Sequence, residues 1–139
     1  METKNMAEKK EMVKEGVLSL AGMNNSQRWA KVKEIMDTLE LNPYTRDEIL
    51  KRVPESIQKY SMRNQILIML QKPMASKVAG MGAWNKEDMK VKKGEKAIWI
   101  IIPYTRKAKK QVKEEEDPET CTGFGFNTVF DVSQVEKKD

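Results

Sequence analysis

Apolar side chains in the first half of the chain recur at steps of three and four. Val13, Val17, Leu20 and Ala21 share one helical face, and Gly22 with Asn24 and Asn25 reads as a stop. This predicts a peripheral helix over about Glu11–Ala21, behind a Lys/Glu-rich end that is expected to fray. Ser26 is a good N-cap for a second helix carrying Trp29, Val32, Ile35, Met36 and Leu39 on one side. Asn42-Pro43 breaks that helix, and Thr45-Arg46-Asp47-Glu48 has the form of a capping box for a third, ending before Pro54. With Pro54 in its first turn, a fourth helix is predicted from about Glu55 to Leu70. Its run Ile66–Leu70 is apolar all round, which predicts burial on more than one face.

The second half changes period. Lys72-Pro73 ends the helical pattern, and residues 74–96 read as loops with one short strand. Ala97–Tyr104 (AIWIIIPY) is apolar on both alternating faces, the pattern of a strand that is central or covered on both sides. Pro103 marks its end or a bulge. Lys107–Val112 extends a hairpin arm in this reading, and the acidic run Glu114–Glu119 forms its loop. Gly123–Val132 is the next strand, with Phe124, Phe126, Thr128 and Phe130 on one face. The fold class is α+β: N-terminal helices packed on a small, mostly antiparallel sheet. The organisation is a peripheral helical segment over 1–22, one domain over 23–135 and a polar tail over 136–139.

Composition narrows the function. The chain has 139 residues, one domain's worth. It contains no histidine and one cysteine, which excludes a Ser-His-Asp triad, a Cys-His pair, the HExxH zinc motif, an internal disulfide and any Cys-based zinc site. No catalytic residue, metal ligand or cofactor site stands out. The longest apolar run is the six residues Ala97–Ile102, and the N-terminus lacks a signal-peptide stretch, so a cytoplasmic protein without a membrane span is expected.

Charge is unevenly placed. The net +5 of the whole chain conceals a segment, 61–113, with 13 basic and three acidic side chains, a net of +10. Residues 114–139 carry a net of −6. A +10 segment is an electrostatic footprint for a polyanion. Within it, Met81–Lys96 combines Trp84 with Lys86, Lys90, Lys92, Lys93 and Lys96. Lysines that track phosphates beside an aromatic that stacks on bases hold single strands without sequence readout. The plain alternative has Trp84 in the core and the lysines in solvent. Lys93-Gly94-Glu95 reads as a tight turn with Gly94 at positive φ. Arg63 and Asn64 open the apolar helix and Gln71 ends it; each is either a ligand contact or a hydrogen-bonded structural residue. The phenylalanines fit core positions beneath helices better than a base-stacking platform.

In order, the segments YSMRNQILIMLQKP, VAGMGAWN, VKKGEKAIWIIIP and FNTVFDVSQ resemble the N-terminal domain of ArdC-type antirestriction proteins. Related conjugative-element proteins of the LtrC type share it. The family pattern is a Tyr/Trp-Ser…Asn helix ending in Gln-x-Pro, a Val-x-Gly…Trp segment, a Lys-Lys-Gly-Glu-Lys turn into an apolar strand ending in Pro, and a closing Val-Phe-Asp-x-x-Gln. The resemblance runs from about Tyr44 to Gln134. It implies an α+β domain that binds single-stranded DNA, encoded on plasmids or integrative elements. In longer relatives the domain precedes a zincin-like metallopeptidase domain carrying HExxH, an activity that this chain is expected to lack. It assigns contacts to Asn64, Gln71, Trp84, Lys92, Lys93, Lys96 and the basic residues after Tyr104, namely Arg106 and Lys107. One departure is Asp88-Met89-Lys90, where the family often has Gly-Arg.

Two functional readings follow. In the first, the chain binds single-stranded DNA, with RNA as a second polyanion, through Lys86–Lys96 and the arm beginning at Arg106, with stacking on Trp84 or Tyr104. Its setting is conjugative transfer or antirestriction. In the second, it is an interaction module that docks a restriction or relaxosome component without touching nucleic acid. DNA mimicry would need an acidic surface, which the basic middle of the chain does not provide.

Overall fold

The computed structural model describes residues 18–104 and 123–138. Four helices and five strands follow in the order α1 (Asn25–Glu40), α2 (Pro43–Lys51), α3 (Met62–Gln71), β1 (Val78–Ala79), α4 (Met81–Lys86), β2 (Met89–Val91), β3 (Ile98–Tyr104), β4 (Gly123–Asp131) and β5 (Val135–Lys137). Single 3₁₀ turns lie at Glu55–Ile57 and Val132–Gln134. The fold is α+β, with a three-stranded antiparallel sheet in the order β1-β4-β3 and a separate antiparallel pair, β2-β5. Among the described residues no helix is long and apolar enough to cross a membrane.

The helix starts differ from the sequence reading for local reasons. Asn24, not Ser26, caps α1: its side chain accepts from the Gln27 N–H at 2.8 Å while Gln27 accepts from the Asn24 N–H at 2.9 Å. Pro43 opens α2 as its first residue, so Thr45 falls inside the first turn and caps nothing. The predicted helix from Glu55 to Leu70 is interrupted. One 3₁₀ turn follows Pro54, and Ser61 then caps α3 by accepting from the Asn64 N–H. A serine in extended conformation offers a nearby N–H a better partner than continued helix does. Residues 18–21 are not helical; the rest of the predicted first helix, including Glu11–Val17, lies outside the described residues. Leu18 and Leu20 are buried in the main core, so this end of the segment is integral rather than peripheral. The Arg28 guanidinium holds it there, donating to the Leu20 carbonyl at 3.0 Å while lying 3.6 Å from the Trp99 ring centre. At the other terminus, Glu136 and Lys137 of the expected polar tail pair with β2.

Two apolar clusters result. The larger joins the inner faces of α1, α2 and α3, including all of Ile66–Leu70, to Ile98, Ile100, Ile101 and Val129. The smaller holds Trp84, Phe130 and Val135 between α4, β4 and the β2-β5 pair.

In the described sheet β4 occupies the centre and β3 is an edge strand; of the two alternatives it fits the one covered on both sides, with Ile98 and Ile100 buried on one face and Ile101 on the other. β3 nevertheless leaves no unsatisfied outer edge at Trp99 and Ile101, because α3 completes it. The Asn64 amide donates to the Ile101 carbonyl and accepts from the Ile101 N–H, both at 2.8 Å. The Gln71 amide does the same for Trp99, donating at 2.9 Å and accepting at 3.0 Å. Seven residues are close to two helical turns, which puts both amides on one side of α3. The helix thus offers the strand the donor–acceptor pairs of a neighbouring strand. Pro103, which has no N–H to donate, is tolerated near the end of this edge.

β4 is fastened at its end by the Asp131 carboxylate. It accepts from the N–H groups of Ser76 and Lys77 through Oδ1, and from the N–H and hydroxyl of Ser133 through Oδ2. Gln134 closes a reciprocal cap by accepting from the Asp131 N–H at 2.8 Å, and donates to the Lys96 carbonyl at 2.7 Å. Burial pushes the Asp131 carboxyl pKa up, but the hydrogen bonds from Ser133, Ser76 and Lys77 outweigh it and hold the pKa below its ordinary 3.8.

Two stability predictions follow from these clamps. Asn64→Ala and Gln71→Ala each strand a backbone N–H and C=O of β3, and each should cost about 1–3 kcal/mol, read as a lower urea midpoint at unchanged m-value. Asp131 is favoured in its charged form by folding, so its contribution is present above its unfolded pKa of about 3.9 and is lost as pH falls through the depressed folded value. Asp131→Asn places an amide donor among donors. It should be less stable than the parent at neutral pH, with the gap in urea midpoints narrowing below about pH 4.

Candidate nucleic-acid interface

The basic segment is carried by short elements that leave side chains in water. α4 spans six residues and ends at Lys86, with its cap N–H groups turned onto its own last carbonyls. Asp88 then takes φ +64, a left-handed position that glycine fits best. This is the place where the sequence departs from the Gly-Arg of the related pattern, and an aspartate tolerates the conformation better than most residues. β2 follows, with Lys90 opposite Glu136 in register and Met89 and Val91 packed on the smaller core cluster. The Glu95 N–H donates to the Lys92 carbonyl at 3.3 Å, closing a tight turn in which Gly94 holds φ +88. That turn matches the sequence reading.

Lys86, Lys90, Lys92, Lys93 and Lys96 are all exposed. Lys90 pairs with Glu136 at 4.0 Å, a half-exposed contact of little weight for stability. The Lys92 ammonium donates to the Ser133 carbonyl at 3.2 Å, which fixes its stem while leaving its charge unpaired. The ammonium groups of Lys86, Lys93 and Lys96 form no ion pair among the described residues. Of the acidic side chains nearby, Glu87 faces Lys77 at 3.9 Å and Glu95 accepts from the Gln134 amide at 3.1 Å. The lysines therefore present a band of five exposed ammonium groups along the end of α4, β2, the Gly94 turn and the approach to β3, interspersed with the exposed carboxylates of Glu87, Asp88 and Glu95.

Three residues named from the sequence do not belong to this band. Trp84 is 2% exposed and its indole N–H donates to the Phe130 carbonyl at 3.0 Å, so it has no free face for a base. Asn64 and Gln71 spend their amides on the edge of β3. All three are structural; the plain alternative weighed above is the one the structure adopts. Tyr104 ends β3 opposite Gly123, and Arg106 and Lys107 lie outside the described residues.

Arg63 is found apart from the lysines, at the start of α3, with its guanidinium 5.6 Å from the centre of the Phe124 ring. Phe124 is 49% exposed, whereas Phe126 packs on Trp29 at 4.7 Å and Phe130 is buried. The sequence reading took all three phenylalanines as core. The period-two pattern does put them on one face, but among the described residues α1 and the α4 region cover only the other two, and Phe124 is left at the loop end of the hairpin. Its position beside Gly123, opposite Pro103, is the local signal that the packed part of the strand has ended there.

A family model described as the N-terminal domain of anti-restriction factor ArdC matches residues 25–132. That span covers most of the chain, and the chain belongs to this family. No curated protein matches it, and no solved structure does.

The placement of Trp84 gives a separating test. Trp84→Phe removes the hydrogen bond to the Phe130 carbonyl and should cost about 1–3 kcal/mol of stability. Trp84→Leu, which also removes the π-face, should leave affinity for a labelled single-stranded oligonucleotide unchanged at temperatures where the variant is folded, whereas loss of a stacking tryptophan would lower it.

Proposed function

We propose that the chain binds single-stranded DNA with little sequence preference, as part of an antirestriction or conjugative-transfer function of a mobile element. The observation that carries this reading is the band of five exposed lysines, Lys86 to Lys96, of which Lys86, Lys93 and Lys96 have no ion-pair partner among the described residues. Such a band gains by displacing the counterions of a polyanion. Between Lys86 and Lys96 the chain carries lysines but no arginine, asparagine or glutamine to fork onto a base edge, which suits backbone tracking over base-edge readout. Membership of the ArdC N-terminal family supports the setting. In this reading the chain acts by binding, not by catalysis, and RNA competes for the same lysines.

A second reading has the chain docking a restriction or conjugation protein. Leu41 and Tyr44, 80% and 76% exposed at the corner between α1 and α2, favour it. Binding to such a purified partner that survives nuclease treatment would select it.

Fluorescence anisotropy with labelled single-stranded, duplex and RNA oligonucleotides at two salt concentrations tests the first reading. Single-stranded DNA should bind preferentially, with a log–log salt slope of about −0.7 per phosphate neutralised. Lys92→Glu with Lys93→Glu should abolish most binding and flatten that slope while the unfolding free energy stays within about 0.5 kcal/mol of the parent. Parent-like affinity in this double variant would remove the lysine band from the interface.

A further inference from the structure

A groove of about 530 Å³ opens between the end of α1, the start of α2 and the first turn of α3. Met36, Leu39 and Ile66 form its apolar floor, and Arg46 and Arg63 stand on its walls. Arg46 has an exposed contact to Asp47 at 3.3 Å; Arg63 has no ion pair among the described residues and leads from the groove to the half-exposed ring of Phe124. Glu40 lines the groove as well.

We infer that this groove, with Arg63 and Phe124, is a base-binding subsite for the single strand whose phosphates the lysine band neutralises. The inference rests on the single-strand reading above and assigns the aromatic contact that Trp84 does not supply. Two guanidinium groups on the rim of an apolar slot complement a strand that is anionic outside and aromatic inside. The Arg63–Phe124 pair is a ready stacking surface, because a base extends a cation–π stack on either member. Glu40 repels a phosphate from the groove but accepts a hydrogen bond from a base amino group, so the walls favour a base entering and the phosphates staying outside.

The position fits the same strand. β3 is seven residues long, and the lysine turn lies at its start while Phe124 lies opposite Pro103 near its end. At about 3.3 Å per residue the separation is roughly 20 Å. That is about six stacked nucleotides at ~3.4 Å each. A strand of about that length bridges the distance between the two sites.

The experiment compares two labelled oligonucleotides of about twelve nucleotides, roughly twice that span. One carries bases throughout and the other abasic sites along its centre. The parent protein is expected to prefer the base-containing strand. Phe124→Ala should weaken binding to that strand roughly tenfold, leave the abasic strand unaffected and keep the salt slope. Arg63→Ala should weaken binding and also make the slope shallower by up to about 0.7. Phe124→Tyr should restore affinity, and Phe124→Leu, which keeps apolar contact without a π-face, should not. Parent-like discrimination in Phe124→Ala overturns the subsite while leaving single-strand binding in place. Equal loss on both strands, or rescue by Phe124→Leu, overturns it too by reducing Phe124 to a packing residue. Failure of the parent to bind either strand at low salt removes the single-strand reading itself.

Discussion

The pairing of two side-chain amides on α3 with the backbone of β3 is the constraint on which the rest of the domain depends. An edge strand as apolar as Ile98–Ile102 would otherwise present unpaired N–H and C=O groups beside isoleucines, a template for association with another chain. Asn64 and Gln71 satisfy two residues of that edge and at the same stroke fix how α3 lies along the sheet. Once that is set, the apolar faces of α1 and α2 have a surface to close on, and Ile66–Leu70 is buried from every side.

The second half of the domain is built by the same device. Trp84 ties α4 to β4 through the Phe130 carbonyl, Asp131 ties β4 to the segment before β1, and Gln134 ties the closing turn to the entry of β3. These side chains, with Asn64 and Gln71, are the residues by which the sequence resembles its family. The shared pattern is thus a pattern of side-chain-to-backbone clamps between residues far apart in the chain. Each is a buried or, at Gln71, half-buried polar group whose removal would leave its partner unsatisfied, which is a physical reason for such residues to specify a fold.

The surfaces left for function lie outside that network. Lysines on β2 and the Gly94 turn carry charge without packing, and Arg63 with Phe124 sits where no helix among the described residues covers the hairpin. A fold held by internal amides and a carboxylate can vary such surfaces at little cost in stability, since exposed substitutions rarely move it by more than about 0.5 kcal/mol.

What the sequence determined by itself was local. The apolar run of α3, the strands β3 and β4, the tight turn at Gly94 and the concentration of charge in 61–113 all follow from side-chain period, turn chemistry and counting. These are legible because each is decided within a few residues. The helix break at Ser61 was missed because a cap and a continued helix compete over one hydrogen bond. Tertiary structure alone decided which polar and aromatic residues face water. Asn64 and Ile101 are 37 residues apart, Trp84 and Phe130 46, and Ser76 and Asp131 55. An asparagine, a tryptophan or a phenylalanine has the same appearance in a sequence whether it clamps a strand or meets a ligand. Only the arrival of a distant backbone group at Asn64 or Trp84, and the 49% exposure of the Phe124 ring, separate the two.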